Sequence, residues 1–262
     1  MDTAQSSPQQ HEIAPGVHRL GDWMTGFYVV EDGDNGSVTV VDSGLPGHAD
    51  QFARHLARIG RTPRDVRAVL ITHGHPDHLG LAERIREQSD GAATVWVHQT
   101  DAPILARPGR ATSLSKPERS MLPYLLRRPA MLGIPLHLAR NGGFRTPPVR
   151  ELSTFDGRRV LDAPGRPLAV PVPGHTGGSA AYLFADRGVL FTGDALVSDD
   201  GVTGLTGPRL VCRAFTHDSA AALASLDVLA ELEAPLLLPG HGPALTGGTA
   251  AAVAAARQAG IT

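Results

Sequence analysis

The 262-residue chain has a single cysteine, Cys212, which excludes an internal disulfide framework and any Cys-x-x-Cys metal or redox pair. It has no excess of either charge. Its 24 Lys and Arg face 26 Asp and Glu, a net charge of -2, so it is not a general polyanion binder and nucleic acid is not an expected partner. No run approaches the roughly 18 to 20 apolar residues that cross a bilayer. The polar start, Met1 to Gln10, lacks the basic and apolar segments of a signal peptide. The expectation is a cytoplasmic protein with no membrane partner and a disordered tail over residues 1–10. Lysine is nearly absent, with Lys116 alone among the basic residues, and this drift toward Arg carries no functional reading. GxSxG, Walker A, HExxH and GxGxxG motifs are all missing.

What the chain does have is histidine, 12 in all, and a 42% hydrophobic fraction, enough to bury a core without covalent staples. Strands are expected at 17–20, 26–31, 37–42, 67–72 and 94–98, with helices at 48–60 and about 79–89. The later half repeats the order, with strands near 158–161, 167–172, 180–185, 188–192 and 235–238 and helices at about 217–231 and 247–259. Strands first and strand–helix alternation later in each half predict two sheets with helices outside, one domain over 11–262. Residues 107–150 differ. Prolines recur there among Met121, Leu122, Tyr124, Leu125, Leu126, Met131 and Leu132, which predicts an inserted, partly helical flap, either a lid or a contact in a homodimer.

The strongest chemical signal is Thr72-His73-Gly74-His75-Pro76-Asp77-His78, between a buried strand and a helix. His73 and His75 alternate in an extended loop and can point the same way, while Asp77 and His78 turn into the helix. Imidazole and carboxylate donors at this density can serve two adjacent metals. Three later residues share one context. His175, Asp194 and His241 each follow a glycine at a strand end, where tight turns let loops converge.

These segments together, HxHxDH (73–78), GHTxGS (174–179), FTGD (191–194) and PGHG (239–242), resemble the metallo-β-lactamase superfamily over roughly residues 12 to 259. The resemblance implies an α/β fold, a four-layer αββα sandwich, with metals at one edge between the sheets. It implies that His73, His75 and His175 hold one metal, that Asp77, His78 and His241 hold a second, and that Asp194 bridges them. The Val41-Asp42-Ser43-Gly44 strand end resembles the family's early Asp position, so Asp42 is expected either to orient a metal-bound His or simply to close the strand. Residue 75 is His, not the acidic residue of the flavodiiron branch, so a hydrolytic site is favoured.

The implied chemistry is a dinuclear zinc hydrolase, with Mn or Fe open, in which a hydroxide shared by the metals attacks the substrate. Asp77 is expected to act catalytically as well as to ligate, orienting that hydroxide or handling its proton. Only 21 residues follow His241, too few for the helical C-terminal domain of glyoxalase II-type enzymes. The absence of a basic track disfavours a nucleic-acid phosphodiesterase. The expected substrate is therefore a small acyl compound, an ester, thioester or lactone. Alternatives are a β-lactamase-type amide hydrolase, an iron-dependent dioxygenase of the persulfide type, or a phosphodiesterase. Trp23, Met24, Phe27, Tyr124, Met131 and Phe144 are expected to wall an apolar pocket or to pack in the core. The remaining histidines, among them His11, His18, His48 and His55, read as surface or loop residues. His98 reads as a packing residue, His137 as a flap residue, His217 as part of a helix cap, and Cys212 as a buried filler.

Overall fold

The computed structural model describes residues 12–33, 35–108 and 116–262. The expected tail at 1–10 lies outside them, as does part of the flap. A seven-stranded sheet runs in chain order through β1 (Glu12–Ala14), β2 (Val17–Gly21), β3 (Gly26–Glu31), β4 (Val38–Val41), β5 (Val66–Leu70), β6 (Thr94–His98) and β7 (Ser153–Phe155). Helices α1 (Ala49–Arg58), α2 (Pro76–Leu79), α3 (Ala82–Gln88) and α4 (Ala102–Ala106) fall between its later strands. The flap contributes α5 (Leu122–Arg127) and α6 (Gly133–Arg140), joined by a 3-10 turn at Pro129–Leu132. The second half supplies β8 (Arg159–Val160), β9 (Leu168–Pro171), β10 (Ala180–Phe184), β11 (Val189–Gly193), the hairpin β12 (Val197–Asp200) and β13 (Leu205–Arg209), α7 (Ser219–Ala230), β14 (Leu236–Pro239) and α8 (Thr249–Ala259). The second sheet has the order β14-β11-β10-β9-β8.

Period-two alternation in strands buried on both faces makes the four layers. On β3, Phe27 and Val29 face outward and join Phe52 and Leu56 of α1 and Ile85 of α3. Tyr28 and Val30 face inward and join Tyr182, Phe184 and Phe191 of the second sheet. On the far side, Ala181, Leu190 and Leu237 turn out to meet Leu226 and Leu229 of α7 and Val253 of α8. The result is the αββα sandwich, and α7 is capped as its sequence suggests, with Asp218 accepting from the Ala221 amide at 2.9 Å.

Three local expectations change. The helix predicted at about 79–89 forms over Ala82–Gln88, and an unexpected short helix at Pro76–Leu79 precedes it, the two separated where the Gly80 amide donates to the Gly44 carbonyl at 2.8 Å. The strand β7 and the β12–β13 hairpin had no alternating apolar signal. They exist through pairing, β7 parallel to β6 and β12 antiparallel to β13. His18, His48 and His55 are buried, not surface residues. His18 meets Glu31 at 3.0 Å, His48 stacks on Phe27, and His55 lies under the first sheet against His18. Among the described residues no helix is long and apolar enough to cross a membrane.

Candidate metal centre

The seven predicted ligands meet at the ends of β5, β9, β11 and β14, on one edge of the sandwich. They fall into overlapping groups: His73, His75 and His175; His73, His78 and Asp194; and Asp77, His78 and His241. In the first group, His73 Nε2 lies 3.0 Å from His75 Nδ1 and 3.2 Å from His175 Nε2, and the latter lies 2.9 Å from His75 Nδ1. Asp194 stands between the groups. Its Oδ2 is 3.4 Å from His175 Nε2, 3.8 Å from His73 Nε2 and 3.0 Å from His241 Nε2, and its Oδ1 is 3.6 Å from His78 Nε2. Asp77 Oδ2 lies 3.5 Å from His78 Nε2 and 3.6 Å from His241 Nε2.

Glycine is required where the loops converge. A Cβ on Gly240 would sit 2.4 Å from Asp194 Oδ1 and 2.6 Å from His78 Cε1. Gly193 has φ +49°, and a Cβ there would sit 2.5 Å from Thr72 Oγ1.

A chain of hydrogen bonds behind the site sets which ring nitrogens face the centre. Asp42 accepts from the Thr72 amide at 2.8 Å, from Thr72 Oγ1 at 2.9 Å and from His78 Nδ1 at 2.9 Å. With its proton given to Asp42, Thr72 Oγ1 accepts from His73 Nδ1 at 3.1 Å. Both rings therefore turn Nε2 toward the centre. His241 does the same by donating Nδ1–H to the Met24 carbonyl.

Electrostatics divide the two sides. Burial holds His73 well below the usual imidazole value, lowers His75, and brings His175 down to about 3, so these rings are neutral donors of lone pairs. Burial also opposes charge on His78 and His241. There Asp194 and Asp77 overrule it, joined at His78 by Asp42, raising His78 well above its ordinary value and His241 to about 9. Asp194 and Asp77 are held below the usual carboxylate range, since neighbouring His241 and His78 outweigh the cost of burying the charge.

The residues fit metal ions. Three imidazole nitrogens within 2.9 to 3.2 Å of each other cannot all be satisfied by protons among themselves. Their spacing is close to the roughly 3.3 Å edge of a tetrahedron with 2.0 to 2.1 Å metal–nitrogen bonds. His78 Nε2 and Asp194 Oδ1 are buried and lack hydrogen-bond partners, as donors aimed at a cation would be.

A cavity of about 270 Å³ opens onto these groups. Of the expected wall, Trp23, Met24 and Met131 line it, and Phe27, Tyr124 and Phe144 do not. Phe27 is fully buried in the outer core against His48 and Phe52. Tyr124 packs behind Met131 beside Cys212. Phe144 is 68% exposed. The apolar wall is completed by Ile134, Leu138, Val211 and Phe215, with Arg128 and Asp199 as polar members. His98 packs on Phe155 and accepts from the Thr100 amide. His217 Nδ1 meets the Lys116 carbonyl. Cys212 is buried, and burial pushes its thiol up to about 12.

Two aspartates went unrecognised in the sequence. Asp101, 1% exposed, accepts from the Gly74 amide at 2.8 Å, from Thr176 Oγ1 at 2.8 Å and from the Gly178 amide at 2.9 Å. It ties the loop of His73 and His75 to the loop of His175. Asp22 accepts from the Met24 and Thr25 amides and from His48 and His137. Neither lies in a motif, and a lone Asp at a strand end or turn reads as a cap.

Fold and site together define a metallo-hydrolase-type centre, and the family model described as metallo-beta-lactamase superfamily matches residues 20–241, so the chain belongs to that superfamily. The probable metallo-hydrolase YflN of Bacillus subtilis (strain 168) is 27% identical over 260 residues, spanning 94% of this chain and 90% of its own. The uncharacterized protein YobT of the same organism is 30% identical over 218 residues, 82% of each chain. Among solved structures, the metallo-beta-lactamase family protein TTHA1429 of Thermus thermophilus superposes with a TM-score of 0.66 at 25% identity, covering 93% of this chain and 79% of that one.

Proposed function

We propose that this metal-dependent hydrolase holds two zinc ions and cleaves a small acyl substrate, an ester, thioester or lactone. The observation that carries the reading is the cavity, whose floor holds His75, Asp77, His175, Asp194 and His241 and whose wall is apolar through Met131, Ile134, Leu138, Val211 and Phe215. Such a wall suits an acyl chain and keeps bulk water from the carboxylates beneath it.

His73, His75 and His175 would hold one ion and Asp77, His78 and His241 the other, with Asp194 between. Bound there, the ions supply Lewis acidity to a carbonyl oxygen and acidify water. The protein's own part is positioning. Asp77 is the ligand carboxylate with the greater access to the cavity, its side chain 14% exposed against 3% for Asp194. Held ionised beside His78 and His241, it can accept a hydrogen bond from an attacking water and orient it. Asp42 keeps His78 turned so that Nε2 faces the centre. Trp23, 61% exposed, lines the cavity on its solvent side.

The test is a panel on zinc-loaded enzyme: aryl esters, acyl-thioesters, homoserine lactones, nitrocefin and bis-p-nitrophenyl phosphate. Turnover of one of the first three classes is expected to exceed that of nitrocefin and of the phosphodiester. Turnover confined to either of the latter two contradicts the acyl reading. Asp77→Ala is expected to remove turnover while leaving the fold intact by circular dichroism.

A further inference from the structure

We propose that Asp22 is a positioning residue that anchors the flap helix with one carboxylate oxygen and the loop that places His241 with the other. This rests on the reading of His241 as a metal ligand.

Asp22 lies in the turn between β2 and β3, and its two carboxylate oxygens do different work. Oδ1 accepts from the Met24 amide at 2.8 Å and the Thr25 amide at 3.1 Å, the pattern of an Asx turn, and so fixes a short loop. That loop brackets one half of the metal centre. The Met24 carbonyl accepts the Nδ1 proton of His241, which leaves Nε2 free toward Asp77 and Asp194. Thr25 Oγ1 donates to the Asp77 carbonyl at 3.2 Å, and the Gly26 amide donates to the Gly240 carbonyl at 2.8 Å. The loop thus touches the chain at Asp77, at Gly240 and at His241 itself.

Oδ2 faces away from the loop and takes two imidazoles. His48 Nδ1 accepts from the Leu45 amide at 3.0 Å, so its proton is on Nε2, which lies 3.0 Å from Asp22. The second is His137 Nε2 at 2.6 Å. His137 belongs to α6, the flap helix that also presents Ile134 and Leu138 to the cavity. Asn141, one turn on, donates Nδ2–H to the His137 carbonyl at 3.0 Å and lies against the ring. The Trp23 indole meets the His137 ring edge-on at 5.1 Å. One carboxylate therefore holds the flap with one oxygen and the His241 bracket with the other. Burial would raise its pKa, but the bond from His48 and those from the Met24 and Thr25 amides bring it down to about 2, so it stays ionised throughout the neutral range.

The two arms separate by substitution. His137→Ala removes only the flap contact. Asp22→Asn keeps an oxygen for the Met24 and Thr25 amides but turns an NH2 toward two imidazole N–H groups, so it too releases the flap. Asp22→Ala releases both. Hydrogen exchange by mass spectrometry on the zinc-loaded protein reads the flap at residues 133–140 and the bracket at 22–26. Zinc loss to a chelator reads the ligand set. His137→Ala and Asp22→Asn are expected to speed exchange about tenfold at 133–140, the scale of one charge-assisted hydrogen bond. Exchange at 22–26 and zinc loss should stay within twofold of the parent. Asp22→Ala is expected to speed exchange in both segments and to release one of two zinc ions about tenfold faster. Parent-like zinc retention in Asp22→Ala, or unchanged flap exchange in His137→Ala, overturns the double anchor. Should Asp22→Ala fail to fold, Asp22→Asn decides: unchanged exchange at 133–140 overturns it. No readout uses a substrate, so failure of every acyl compound would bear on the proposed reaction and not on this double anchor.

Discussion

Asp42 Oδ2 lies 2.9 Å from His78 Nδ1, and that single contact determines which nitrogen of His78 faces the metal centre. Asp42 sits at φ +55°, a left-handed conformation that Asn and Asp adopt more readily than other residues with side chains. Asp42→Asn should therefore keep the backbone and remove the charge. The ring of His78 loses its ionised acceptor, and zinc affinity is expected to fall about 10- to 100-fold. Competition against a chromophoric chelator measures this, and an affinity within twofold of the parent would count against the role.

Asp101 joins two ligand loops that are remote in sequence. A buried carboxylate that accepts from the Gly74 and Gly178 amides and from Thr176 leaves both amides orphaned when it is removed and Thr176 with only Ser179 as a partner. Asp101→Ala is expected to cost about 3 kcal/mol or more in urea unfolding of the metal-free chain. It should also lower zinc affinity, because the His73–His75 loop and the His175 loop then move independently. Unchanged stability would mean that these loops are held elsewhere.

His55 should set part of the acid limb of stability. Both ring nitrogens are buried with no hydrogen-bond partner, and burial, helped by His18, lowers its pKa from 6.5 to about 4. A folded pKa below the unfolded one means that the unfolded chain binds the proton first. Stability is therefore complete above about pH 6.5 and is lost as pH falls toward 4, by up to about 1.4 kcal/mol per pH unit for this one proton. His55→Leu removes that proton site, and its unfolding free energy between pH 6.5 and 4 should have a shallower slope than the parent's. Equal slopes would show that other groups carry the acid limb.

The candidate ligand residues were legible because their signal is local: a dense HxHxDH loop and three Gly-His or Gly-Asp strand ends, each beside a strand whose apolar run announces it. The four layers were legible for the same reason, since β3, β5 and β11 are apolar on both faces. What could not be read is whatever depends on which loops meet. Phe27 looks like a pocket residue beside Trp23 and Met24, but strand alternation turns it to the helix side of the sheet. His48 and His55 look like surface histidines on α1 and its approach, yet they face the sheet, one stacked on Phe27 and the other against His18. Asp22 and Asp101 act on residues 26 to 115 positions away, and nothing near them in the chain marks the partner.

The number of ions held by the seven-residue centre decides whether it works as a two-metal site. Protein stripped with chelator, reconstituted with excess zinc and freed of unbound metal should contain close to two zinc ions per chain by elemental analysis. The Asp77→Ala variant should keep about one, since His73, His75 and His175 form a complete set without it. One ion or fewer in the parent chain would contradict the two-metal centre.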